Sequence, residues 1–173
     1  VPSLFIVMDL FMQTPSSTID IDPNLKLVDF DQVTPEQLKA QITEAIDSGN
    51  QFLDKLDEQF EQQPDAVVQP QPALTDIIEF DHIGLNLDRS WGILSHLNSV
   101  MSNEDIREVH HEMLPLLSAF STRVGQNKPL YTRYQAIKND HTFFDALEPA
   151  RQRAIELAIQ SFELSGVALD ADK

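Results

Sequence analysis

The sequence predicts an all-α fold, an antiparallel helical bundle of about five helices, on three observations. Apolar residues recur at three- and four-residue steps through most of 34–169. Helix starts are spelled out by capping residues followed by proline, as in Thr34-Pro35 and at Pro149. Only five glycines occur in 173 residues, and no alternating apolar–polar run accompanies them, so strands would have little turn chemistry to use. The expected organisation is a leader over 1–33, one helical domain over 34–169 and a truncated tail at 170–173.

The leader opens with Val1 to Met12, apolar but broken by Asp9 and lacking a basic start, unlike a signal peptide. It is also short of the ~20 apolar residues that span a bilayer. The chain opens on Val1, and the expectation is a true start at Met8 or Met12, with the segment an artefact of gene calling or cloning. The first helix starts at Thr34-Pro35-Glu36-Gln37, where threonine caps, proline needs no N–H and glutamine completes the box. Leu38, Ile42, Ala45, Ile46, Phe52, Leu53, Leu56 and Phe60 carry it to about Gln62, with Glu36, Glu44, Asp47, Asp54, Asp57, Glu58 and Glu61 opposite. Gln63 to Pro72 holds three prolines and reads as a linker.

A second helix is expected over Ala73–Met101, its stripe formed by Leu74, Ile77, Ile78, Leu85, Trp91, Leu94, Leu97 and Met101. Gly84 and Gly92 point to a close helix contact or a kink. Ser102, with Asp105 three residues on, is expected to cap a third helix. Its face is Ile106, Val109, Met113, Leu116, Leu117, Phe120 and Val124, with a kink at Pro115 and a left-handed stop at Gly125. Pro129 starts a short helix with Leu130, Tyr131, Tyr134 and Ile137 inward, ending at Asn139-Asp140. Pro149 opens the last, with Ala150, Ala154, Ile155, Ala158, Ile159 and Phe162 along one side and Gly166 just past its end.

Twelve basic against 28 acidic residues give a net charge of −16, so a broad basic surface for nucleic acid or anionic membrane is excluded. Without cysteine there are no disulfides or thiolate metal sites, in keeping with a reducing compartment. His110-His111-Glu112 is the one stretch that invites a search for chemistry. A helical zinc site of the H-E-x-x-H type needs a second histidine four residues after the first. From His111 that position is Pro115, so the motif fails and an exposed histidine pair is the plain reading. His82, His96 and His141 show no converging spacing, and no nucleophile elbow or Gly-rich phosphate loop occurs. Tyr131, Arg133 and Tyr134 form the one compact aromatic–basic cluster, read as helix packing; Met101 and Met113 read as core fillers. No catalytic, cofactor-binding or metal-binding residue is assigned within the chain.

Five stretches carry a family resemblance: HLNSV at 96–100, LPLLS at 114–118, VGQNKPLY at 124–131, RQRAIELAIQSFELSGVAL at 151–169 and, more loosely, FDQVTPEQ at 30–37. Together they resemble the N-terminal portion of the oligopeptidase A-like zinc peptidases of the thimet oligopeptidase family. The likeness covers Phe30 to Leu169, strongly from Ser95 onward, while 1–29 depart from it. It implies the helical N-terminal region of a cytoplasmic, two-lobed enzyme whose deep channel admits short peptides. It also implies that zinc belongs to a full-length parent. Its H-E-x-x-H would lie in a later catalytic portion, which this portion would partner as channel wall. Alone, the chain is expected to hydrolyse nothing. The alternative is a stand-alone acidic helical module that binds a protein partner.

Overall fold

In the computed structural model the described residues are 30, 33–101 and 103–167; the expectations for 1–29, for Ser102 and for 168–173 lie outside them. The helix start at Thr34 forms as the sequence dictates: its hydroxyl accepts from the Gln37 N–H, and the Gln37 side chain accepts from the Thr34 N–H. With both donors satisfied and Pro35 in the first turn, α1 runs from Pro35 to Gln62. Five more helices follow among the described residues: α2 (Pro70–Val100), α3 (Glu104–Gly125), α4 (Lys128–Asn139), α5 (His141–Asp145) and α6 (Pro149–Leu164).

Side-chain pairs fix the topology. From Gln41 to Phe52 along α1 the α2 partner moves back from Ser90 to Phe80, so α1 and α2 are antiparallel. Along α1 and α3 the pairs Lys39–Glu112, Thr43–Met113 and Asn50–Arg123 keep separations of 73, 70 and 73 residues, so these two helices run parallel. Tyr131 meets Glu163 and Lys138 meets Glu156, which makes α4 and α6 antiparallel. α4 bridges the two halves by packing against α2, α6 and α1.

The α1 face is buried as predicted from Leu38 through Leu56, while Phe60 is half-buried, and each buried Leu, Ile or Phe there stabilises the bundle by ~1.5–3 kcal/mol. Elsewhere the structure corrects the sequence reading. α2 begins at Pro70, inside the presumed linker, because prolines fit a first helical turn whose N–H groups have no partner anyway. Its buried face runs Leu74, Ile77, Phe80, Asp81, Gly84, Leu87, Ser90, Leu94, Leu97, whereas Ile78 and Met101 are exposed and Leu85 and Trp91 half-buried. Gly92 meets nothing within 4 Å, Gly84 is buried, and at Gly49 an added Cβ would lie 2.4 Å from Phe120 Cζ.

The cap of α3 is Asn103, whose side chain accepts from the Ile106 N–H, one residue later than the predicted cap. Leu116 on α3 is exposed rather than inward. Gly125 is helical, and its small size makes room for Ser165 Oγ, 2.8 Å from where a Cβ would sit. Gly166 takes a positive φ, 87°, and is the predicted stop after the last helix. Asp140 accepts from the Phe143 N–H and starts the short α5, an element not among the predicted helices.

Candidate functional site

His110, His111 and Glu112 diverge in the fold. The His110 ring stacks on Trp91 with centroids 4.6 Å apart, His111 is exposed, and Glu112 pairs with Lys39 of α1, raising the Lys39 pKa through that hydrogen bond and its charge. Pro115 occupies the place of a second ligand, within an α3 continuous from Glu104 to Gly125. His96 lies against Phe30 at 5.7 Å, and His82 and His141 are exposed. These residues do not fit a zinc ion, and among the described residues no group of three His, Asp or Glu gathers to hold a metal.

The aromatic–basic cluster is brought together, as packing. Tyr131 and Tyr134 both lean on Phe162 of α6, at 5.8 and 5.6 Å. Arg133, buried, donates to Asp76 at 2.5 Å, to the Gln59 side chain at 3.0 Å and to the Pro129 carbonyl, which joins α1, α2 and α4. A cleft of about 450 Å³ opens beside it under the 63–69 connection, bordered by Val67, Val68 and Pro129. The Arg133 guanidinium that lines it is already engaged by Asp76 and Gln59. A second polar clamp closes the lower half of α1 and α3: Arg123 donates to Asn50 at 2.7 Å and to Asp54 at 2.5 Å, and Asn127 donates to Asp57 at 2.7 Å.

Sequence reasoning missed Asp81. It is 7 % exposed in the core face of α2, and neither carboxylate oxygen has a hydrogen-bond partner among the described residues. Burial pushes its pKa up to about 8, and its charge adds to the burial that holds Tyr134 well above the usual phenol range. The available signal was positional: Asp81 follows Phe80 and precedes Gly84 on the 77–80–84–87 seam.

The described residues thus define an all-α packing domain whose polar side chains tie helices to one another. The sequence of residues 42–173 matches the family described as neurolysin/thimet oligopeptidase, N-terminal domain. The chain is 35 % identical to oligopeptidase A of Haemophilus influenzae over 147 residues, covering 83 % of this chain and 20 % of that protein. Over 154 residues it is 31 % identical to oligopeptidase A of Escherichia coli, covering 86 % of this chain and 20 % of the relative. An Arabidopsis thaliana organellar oligopeptidase A is 28 % identical over 159 residues, 90 % of this chain and 19 % of that protein. The chain belongs to the neurolysin/thimet oligopeptidase family, as its N-terminal domain. It spans about one fifth of the length of these relatives.

Proposed function

We propose that this chain is the non-catalytic, channel-wall portion of an oligopeptidase A-like zinc metalloendopeptidase that hydrolyses short peptides in the cytoplasm. The observation that carries this reading is the family match over 42–173, together with relatives named oligopeptidase A. The chemistry agrees with it. His111-Glu112 is followed by Pro115 where H-E-x-x-H needs histidine, and Glu112 is committed to Lys39. Zinc belongs to the remaining catalytic portion, where it would polarise the scissile carbonyl and activate water. The present helices would supply a rigid wall, held in shape by the Arg123 and Arg133 clamps, that limits entry to short peptides. No described helix is long and apolar enough to cross a membrane.

The test is a graft: residues 30–173 replace the matched stretch of the Haemophilus influenzae oligopeptidase A. Chelator-sensitive hydrolysis of short peptides is expected. A folded graft that hydrolyses none would remove the reading.

A further inference from the structure

We propose that Asp81 is a proton-controlled catch on the seam between α2 and α4: protonated, it lets the two helices close over it, and ionised, it releases α4, α5 and α6 together from α1, α2 and α3. Asp76 and Asp81 of α2 both lie toward α4. Asp76 has its cation, accepting from Arg133 Nε at 2.5 Å. Asp81 has none: it is 7 % exposed, neither oxygen has a hydrogen-bond partner, and its charge acts on the buried Tyr134 of α4. A carboxyl group so placed is tolerable while neutral; once charged it has neither water nor a cation.

Among the described residues nothing around Asp81 compensates that charge. The buried side chains of α1, α3 and α6 are all non-ionisable. On α4 the buried ionisable groups are Tyr131, Arg133 and Tyr134; Arg133 is held by Asp76 and Gln59, and Tyr131 donates to Glu163. The half-buried cations Lys39, Arg123 and Lys138 pair with Glu112, Asp54 and Glu156. On α2 itself Glu79, His82 and Arg89 are exposed, and Asp88, two turns on, is a further acid. Burial alone raises the Asp81 pKa to about 8, with no part from the half-buried Arg151 of α6.

The fold divides at this seam. α4, α5 and α6 hold to one another: Tyr131 and Tyr134 lean on Phe162, Lys138 pairs with Glu156 and lies 3.9 Å from the Phe144 ring centroid, and Gln152 donates to the Phe144 and Leu147 carbonyls. α1, α2 and α3 hold to one another through Phe52 with Phe80, Ser90 with Gln41 and Arg123 with Asn50. The halves meet chiefly where α4 lies on α2 and α1, with Ser165 against Gly125 beside it. Opening the seam therefore hydrates Asp81 while each half keeps its own contacts.

The test uses the 173-residue chain, whose lack of cysteine allows a thiol to be placed at will. Ile77→Cys puts one on the buried face of α2, one turn before Asp81, and Ala45→Cys puts one in the α1 core as a control. Labelling rates are divided by those of a free thiol at each pH. At position 77 protection should fall about tenfold per pH unit between about pH 6 and 8 and then level, because opening is linked to loss of one proton. Position 45 should stay protected, and Asp81→Asn should make the position 77 profile flat. Carbon NMR of the unsubstituted chain supplies a readout that needs no variant to fold: the Asp81 carboxyl carbon should titrate near pH 8, apart from the other carboxylates. Titration with the ordinary carboxylates overturns the proposal. So does a flat profile at position 77 without Asp81→Asn, a slope that survives Asp81→Asn, or an equal loss of protection at position 45, which would be opening of the whole domain.

Discussion

α1 and α3 lie side by side, parallel and clamped at both ends, yet their outward faces differ. That of α1 carries Glu36, Glu44, Asp47, Asp54, Glu58 and Glu61, all exposed. That of α3 is uncharged from Met113 to Thr122 and exposes two leucines. Their inward faces are alike, since both bury an apolar stripe in one core. Inward faces answer to packing and can converge; outward faces answer to what they meet. The contrast is one of charge: the outward face of α1 is acidic, and α3 carries no charged side chain from Met113 to Thr122.

The largest expected effect calibrates the core both helices share through α2. Asp81 holds its proton in the folded state up to about pH 8, against 3.8 when unfolded. Between those values the unfolded chain ionises this group and the folded chain does not, so stability falls as pH rises from 4 to 8 and then levels. The contribution is at most about 6 kcal/mol. Urea unfolding of Asp81→Asn at both ends of that range should show a flatter pH dependence; an unchanged slope removes the account of Asp81.

Next comes the inward face of α3. Phe120→Ala should lose about 3–5 kcal/mol in the same assay, as large core truncations do. A loss below 1 kcal/mol would mean that the α1–α3 seam is not the core contact its geometry indicates. Gly49→Ala should cost about 1–3 kcal/mol, because its methyl would start 2.4 Å from Phe120 Cζ. Adding Phe120→Leu to Gly49→Ala should return part of that loss if the clash is its cause. The smallest effect sharpens the contrast: Leu116→Ser should change the stability of the isolated chain by less than about 0.5 kcal/mol. A loss of core size would place Leu116 inside, as its spacing alone suggests.

Much of the bundle was legible because caps and periodicity act locally. Thr34 with Gln37, the α1 stripe, the α4 face and Gly166 all follow from chemistry within one or two turns. The α2 seam was not, because its core positions include Asp81, Gly84 and Ser90, which no apolar pattern marks, while Ile78 and Leu85 lie beside the seam. Leu116 misled for a related reason: it sits at helical spacing from the core, but α1 and α2 occupy only one side of α3. The failed metal motif was readable at Pro115, whereas the contacts of His110 with Trp91 and of Glu112 with Lys39 join elements that no spacing rule connects.

The central claim, a non-catalytic member of a peptidase family, is tested most directly by incubating the purified 173-residue chain with short peptides and added zinc. No hydrolysis above the uncatalysed rate is predicted. Hydrolysis that a chelator abolishes and zinc restores would contradict it.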